Sequence, residues 1–280
     1  MKSAKTVAAI HDLSGVGRCA LTVVMPVISV MGAQVCPVPT AVLSAHTAFS
    51  GIAAHDLTGF LPAYLAHWRA LGLRFDAVYA GYLAGPEQAA IVEGFLNGQR
   101  DALKVLDPVM GDDGRLYAGM PEDMPAKWRG LCARADVVTP NMTEYALLTG
   151  EAYSLEPRTM AQAKKMLDAL LEMGAQSAVI TSLPLEKGLA NAYMRRGDKT
   201  AGICAFERLE AHYPGTGDLF ASVLTGALLQ GKALEAAVAQ ATAFTRRAVS
   251  RTMRLPTEVN YGVDLEPLLP LLWEGQADEA

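Results

Sequence analysis

The sequence is poor in cysteine, carries no excess of positive charge and contains no long apolar run. Its four cysteines, Cys19, Cys36, Cys132 and Cys204, are widely spaced and form no C-x-x-C pair. That spacing argues against a disulfide framework and predicts free thiols in a reducing, cytoplasmic setting. The five histidines (His11, His46, His55, His67, His212) are scattered too, so no zinc ligand set emerges. The formal net charge is -5, which leaves nothing to track a nucleic-acid backbone. No apolar run reaches the roughly 20 residues needed to cross a bilayer, and residues 1–10 carry no leader pattern. Gly15-Val16-Gly17 lacks the third glycine of a dinucleotide fingerprint. No repeat, linker or low-complexity segment is visible.

What is present is an alternation of short apolar runs and helical patterns along 280 residues, 51% of them hydrophobic. Strands are expected at 5–11, 35–38, 76–80, 103–106, 136–139 and 177–182, with a hairpin made by 188–194 and 199–206. Helices are expected at 19–31, 57–71, 87–98, 121–133, 140–148, 159–174, 219–231, 234–253 and 265–273. In the helix after Thr159, Met160, Ala163, Met166, Leu167, Leu170 and Leu171 fall on one stripe. The order predicts one α/β domain over residues 1–280, a mostly parallel sheet layered by helices, with an acidic tail at 275–280. In such sheets ligands sit at the carboxyl ends of the strands, and those ends are where the polar residues fall.

The organising stretch is Tyr213-Pro214-Gly215-Thr216-Gly217-Asp218, followed at once by a small-residue apolar helix. Glycines let the backbone turn its N–H groups outward, and a helix N-terminus adds free donors and a positive dipole end. Gly215, Thr216 and Gly217 therefore predict an anion site, with Asp218 at its mouth to take a proton from a hydroxyl; an ordinary aspartate cap would have the same look. Asp107, Asp112 and Asp113 follow one strand among glycines, a pattern suited to a magnesium–water cluster. Asn141 and Glu144 have N-cap and N3 spacing. Tyr82 follows another strand, where a ring can stack on a flat ligand or fill the core.

Together these residues resemble the ribokinase-like superfamily, and within it the pyridoxal/pyridoxamine/pyridoxine kinase branch. The resemblance rests on Gly215-Thr216-Gly217-Asp218-Leu219-Phe220, Asp107-Pro108-Val109-Met110-Gly111-Asp112, Thr139-Pro140-Asn141 with Glu144, and Ser44-Ala45-His46-Thr47, all in order. It implies a three-layer α/β/α sandwich that transfers the γ-phosphoryl of ATP to the 5′-hydroxymethyl of a B6 vitamer. By that resemblance Asp218 is the base and Gly215 to Gly217 the anion hole. Asp107, Asp112, Thr139 and Glu144 serve Mg2+, while Asn141, Thr181 and Ser182 meet the ATP phosphates. Leu43, His46, Thr47 and Tyr82 border the pyridine ring. K+ and a homodimer are further expectations, and 207–214 is expected to act as a flap over ATP.

One departure stands out. Many pyridoxal kinases have a serine soon after the first strand, where this chain has Asp12. A carboxylate there would pair with a protonated ring nitrogen or an amine, which predicts a preference for pyridoxamine or pyridoxine over pyridoxal. Capping of the following turn is the plainer role for Asp12. The rivals are a hydroxymethylpyrimidine kinase on the same fold and a non-catalytic vitamer- or nucleotide-binding protein. The Asp-Leu-Ser-Gly loop and the Ser-Ala-His-Thr segment argue against the first, and the intact Gly215–Asp218 stretch against the second.

Overall fold

The computed structural model describes residues 4–209, 213–256 and 258–273. The expected acidic tail at 275–280 and residues 210–212 of the expected flap lie outside them.

Alternate residues of the central strands feed two separate cores, because successive side chains of a strand point to opposite faces. In β1 (Lys5–Ser14), Ala8 and Ile10 enter one core while Val7 and Ala9 enter the other. In β4 (Ala77–Ala80), Val78 and Ala80 divide from Ala77 and Tyr79 in the same way. A strand buried on both faces reads as a continuous apolar run, the mark of a parallel sheet covered by helices.

The remaining strands are β2 (Ala33–Leu43), β3 (Ala54–Asp56), β5 (Leu103–Leu106), β6 (Gly111–Asp112), β7 (Arg115–Leu116), β8 (Val137–Val138), β9 (Ser177–Leu185), β10 (Gly188–Arg195) and β11 (Gly202–Phe206). The main sheet runs β11-β10-β9-β8-β5-β4-β1-β2-β3. Its centre, from β9 to β2, is parallel; the β2–β3, β9–β10 and β10–β11 pairings are antiparallel. The helices are α1 (Leu21–Val30), α2 (Leu61–Ala70), α3 (Pro86–Gly98), α4 (Met124–Cys132), α5 (Met142–Thr149), α6 (Met160–Glu172), α7 (Thr216–Leu229) and α8 (Leu234–Thr252). Helices α2 to α6 cover one face, and α1, α7 and α8 the other. The result is the expected three-layer α/β/α sandwich. Among the described residues no helix is long and apolar enough to cross a membrane, and all four cysteines are free.

Four local expectations are corrected. Asp12 to Ser14 belong to β1 rather than to a loop. The register shifts between His11 and Leu13, and pairing resumes as Leu13↔Val42 and Ser14↔Leu43. The edge strand β3 and the small β6–β7 hairpin have no hydrophobic pattern in the sequence. The segment expected as a helix at 265–273 is a 3-10 helix at Glu266–Leu272, where Pro270 removes a donor that an α-helix needs. Met160 is 44% exposed at the first turn of α6, off the buried stripe.

Order reversal places β1 between β4 and β2, so a crevice opens at its carboxyl end. There stand His11, Asp12 and Ser14. The carboxyl ends of β5 and β8 lead to Asp107 and Thr139, and Thr181 lies midway along β9.

Candidate active site

The anion turn is built by backbone geometry. Gly215 is the N-cap of α7 in a left-handed conformation (φ 78). A Cβ on Gly215 would come within 2.0 Å of the Arg18 carbonyl oxygen, whereas one on Gly217 would meet nothing within 4 Å. The first α7 bond found is Leu219 N–H to Gly215 O, at 2.9 Å. Helix geometry leaves the N–H groups of Thr216, Gly217 and Asp218 as donors at the cavity wall. That cavity holds about 680 Å³.

Eleven expected residues line it: Asp107, Asp112, Thr139, Asn141, Glu144, Thr181, Ser182 and Gly215 through Asp218. Thr139 donates its hydroxyl to Asp107 Oδ1 at 2.9 Å. Asn141 caps α5 in a full capping box, with Glu144 N–H to Asn141 Oδ1 and Asn141 N–H to Glu144 Oε2 both at 2.8 Å. Asn141 Nδ2 also donates to Gly111 O at 3.1 Å, which ties α5 to β6. Thr181 N–H donates to Pro140 O at 3.0 Å. Ser182, held at φ 53, donates its N–H to Asn191 Oδ1 at 3.0 Å. Asn191 in turn donates to the Thr242 hydroxyl at 2.8 Å. Asn191 and Thr242 line the cavity and went unread in the sequence.

Asp12, Leu43, His46, Thr47 and Tyr82 do not line this cavity. They sit around the carboxyl ends of β1 and β2, where the Thr40 hydroxyl donates to Tyr82 O at 3.0 Å. Leu43 is buried, and its carbonyl accepts Gly15 N–H at 2.8 Å. His46 is buried and accepts or donates only to backbone: Nε2 to Asn260 O at 2.6 Å, Nδ1 from Ala48 N–H at 3.2 Å. Thr47 is exposed and Tyr82 half-buried. Burial first, then the Asp12 and Asp56 carboxylates, push the Tyr82 phenol up, so its ring stands within electrostatic reach of Asp12. Asp12 has no unengaged oxygen. Oδ1 meets His11 Nδ1 and Oδ2 accepts the Ser14 hydroxyl, each at 2.9 Å.

His11 is the residue that sequence reading missed most plainly. Its ring lies between two carboxylates, with Nε2 3.0 Å from Asp218 Oδ1 and Nδ1 2.9 Å from Asp12 Oδ1. Burial works against its charge, but Asp218 and Asp12 outweigh that and raise its pKa to about 10. For Asp218, burial alone would raise the pKa; the His11 charge and hydrogen bond and the Ala20 N–H, 2.6 Å from Oδ2, hold it below the usual carboxylate range. Asp218 is thus ionised at neutral pH and ready to accept a proton.

The acidic residues deeper in the cavity behave differently. Burial first, then Asp218, lifts Asp107 to about 7, with the Thr139 hydroxyl pulling the other way. Burial and the neighbouring Asp107 hold Glu144 well above its ordinary value. Among the described residues no group of three or more His, Cys, Asp or Glu is placed to ligate a metal directly. An all-oxygen set of buried carboxylates and a hydroxyl fits a hydrated hard cation, which keeps several of its waters.

A stability prediction follows from His11. Its folded pKa exceeds the unfolded value of 6.5, so its contribution is complete below pH 6.5 and lost as pH rises through about 10. Thermal unfolding of the wild type should fall between pH 7 and 10 by on the order of 2 kcal/mol more than that of His11→Gln. Parallel curves for the two proteins would refute the assignment of charge to His11.

Comparison with known proteins follows this geometry. Residues 10–262 match the phosphomethylpyrimidine kinase family. A pyridoxine/pyridoxal/pyridoxamine kinase of Bordetella avium is 33% identical over 65% of this chain and 64% of its own length. Human pyridoxal kinase is 31% identical over 54% of this chain and 53% of its own. The chain thus matches between half and two thirds of the length of these curated relatives. Among solved structures, a Bacteroides thetaiotaomicron protein provisionally named a phosphomethylpyrimidine kinase was crystallised with pyridoxal. It is 42% identical, with TM-score 0.90 and 96% of both chains covered. Pyridoxal kinase of Lactobacillus plantarum is 36% identical, with TM-score 0.89 and 96% of both chains covered. Pyridoxal kinase of Leishmania donovani, in complex with ADP and ginkgotoxin, is 25% identical, with TM-score 0.81 and 97% of both chains covered. The chain belongs to the phosphomethylpyrimidine kinase family, on the ribokinase-like fold, and its relatives there are pyridoxal kinases.

Proposed function

We propose that this chain is an ATP-dependent kinase that phosphorylates the 5′-hydroxymethyl group of a B6 vitamer. The observation that carries the reading is Asp218, a buried ionised carboxylate at the N-terminus of α7. It stands between the cavity for the nucleotide and the pocket edge formed by β1 and β2. The relative with pyridoxal bound supports the acceptor class, and the relative with ADP bound supports the donor.

In the reaction, the acceptor hydroxyl oxygen forms a bond to the γ-phosphorus while the bridging oxygen leaves with ADP. The hydroxyl proton passes to Asp218. The N–H groups of Thr216 and Gly217 stabilise the charge that spreads over the transferring oxygens. Asn141, Thr181 and Ser182 hold the other phosphates. Asp107, Asp112, Thr139 and Glu144 would hold Mg2+ through water, and the ion would neutralise phosphate charge there. Leu43, His46, Thr47 and Tyr82 border the acceptor ring, with Asp12 behind them. We carry K+ binding, a homodimer, a cytoplasmic setting and a single domain over residues 1–280 as parts of the same proposal.

A pyrimidine acceptor is the second reading, favoured by the name of the matched family. An acceptor that already bears a phosphate fits poorly. Arg18, the cation of the adjoining loop, is engaged by Glu266 at 2.7 Å and Asp264 at 3.5 Å. Asp12 and Asp218 add negative charge on that side. The test is ADP release with Mg-ATP, run side by side on pyridoxamine, pyridoxine, pyridoxal and hydroxymethylpyrimidine. A B6 vitamer should lead; a pyrimidine in the lead would move the chain to the second reading, and no turnover would overturn both.

A further inference from the structure

Both oxygens of Asp218 are held from outside α7. Oδ2 takes the Ala20 N–H at 2.6 Å, and Oδ1 takes His11 Nε2–H at 3.0 Å. Ala20 delivers its N–H from φ 51, a conformation that is strained for a non-glycine residue. Strain kept at a donor to one carboxylate marks a position held for a purpose. A carboxylate has about four acceptor sites, so each oxygen keeps a lone pair for the acceptor hydroxyl, but the plane of the group is fixed.

Behind His11 the contacts continue. Its Nδ1 lies 2.9 Å from Asp12 Oδ1 and 3.0 Å from Asp12 N. An unprotonated Nδ1 would accept that N–H but set its lone pair against a carboxylate oxygen. A protonated Nδ1 donates to Oδ1 and gives up the Asp12 N–H; with Nε2 donating to Asp218 Oδ1, the two carboxylate contacts together select the imidazolium. Asp12 Oδ2 is taken by the Ser14 hydroxyl at 2.9 Å, and Ser14 is fully buried. The order is Ser14, Asp12, His11, Asp218, three consecutive links spanning 207 residues of sequence. The register shift between His11 and Leu13 interrupts the strand pairing at Asp12, within this run.

We propose that Ser14 and Asp12 hold His11 as a doubly protonated positioning residue, which fixes the orientation of Asp218 and keeps it ionised for phosphoryl transfer. This rests on the kinase reading above. It gives Asp12 a task in the chemistry that differs from contact with the vitamer ring. The charged groups around the pair are accounted for. His46 adds a second, weaker positive influence on Asp218 from the loop after β2, while Asp12 and Asp107 are the acidic groups in range. Cys19, Tyr79 and Tyr117 also face it, and burial keeps all three neutral. His11 is thus the cation bonded directly to the base.

The test is the pH profile of kcat/KM for wild type, His11→Leu, His11→Gln and Asp12→Asn, with the best B6 acceptor. Without His11, burial raises Asp218, and an acid limb absent from the wild type should enter as pH falls. The ratio of wild type to His11→Leu should then grow about tenfold for each unit of falling pH below that limb. His11→Gln, which keeps a neutral donor, should show a smaller shift, and Asp12→Asn a shift in the same direction. A second readout is 15N NMR of the His11 ring, which should report two protonated nitrogens at pH 8 in wild type. A ratio constant with pH, or a ring with one bare nitrogen at pH 8, would overturn the proposal while leaving the kinase reading intact. A wild type with no turnover on any acceptor would instead sink the kinase reading, and this role with it.

Discussion

Asp218→Asn should reduce kcat for ADP release by at least about a thousandfold while ATP and vitamer still bind. General bases contribute roughly 10²–10⁴ in rate, and this one is also clamped in place. The carboxamide is nearly the same size, so the cavity keeps its shape. It cannot keep both contacts. One atom of the new group is an NH2 donor, and it must face either the Ala20 N–H or the His11 Nε2–H, both donors. One hydrogen bond therefore becomes a repulsion, and the His11 charge loses its principal partner. A loss of about 1–3 kcal/mol in stability should accompany the loss of rate. The measurements are kcat by coupled ADP release, ATP affinity by calorimetry and a thermal melt. A variant within tenfold of wild-type kcat would remove Asp218 from the base role. A wild type that binds ATP and vitamer yet releases no ADP would be a binding protein.

Gly215→Ala and Gly217→Ala should fail in opposite ways. At Gly215 the added carbon would sit 2.0 Å from the Arg18 oxygen, on a backbone at φ 78. Neither the carbonyl nor the turn can yield without moving the loop that carries Ala20. The left-handed strain adds about 1–3 kcal/mol to the clash. The variant should melt many degrees lower and lose turnover through damage to the base. At Gly217 the carbon enters open space, and within a helix alanine is favoured by about 1 kcal/mol. Its stability should match or exceed wild type. In the proposed reaction the phosphoryl oxygens occupy that space, so turnover should drop by about a hundredfold or more. Full activity in Gly217→Ala would show that the transferring group does not approach this turn.

The sequence made the glycine turn, the aspartate-bearing strand ends and the α5 capping box legible, because each is local. A turn needs glycine at one position, and a cap needs its acceptor three residues from its donor. The alternation of buried runs and amphipathic helices likewise conveyed the layers. What stayed hidden depends on register. His11 falls in an apolar strand buried on both faces, where period-two alternation says nothing about which way a side chain points. Asp12 was read as loop because nothing local announces a bulge. The one signal available was the pair itself: two ionisable residues, His11-Asp12, at the end of an otherwise apolar strand. That is a costly placement unless each has a partner. The second partner, Asp218, is 207 positions away, beyond the reach of any local pattern. The exposed edge strand β3 and the β6–β7 hairpin were unread because their few residues bury little.

The packing around Arg18 bears on how the chain is made. Its carbonyl is 2.8 Å from where a Cβ of Gly262 would lie and 2.0 Å from that of Gly215, and its N–H reaches Tyr261 O at 3.2 Å. Three stretches that leave the ribosome at widely separate times meet at one residue. During synthesis the early loop at 15–20 must wait, with the Arg18 guanidinium unmatched, until the segment that carries Tyr261, Asp264 and Glu266 has emerged. The sheet from β1 to β9 can assemble as it appears, since most of its pairings are between strands already made. The site cannot. A nascent chain is therefore folded for much of its length before it is competent, and the late segment around Tyr261 and Gly262 completes the floor under the proposed base and anion turn.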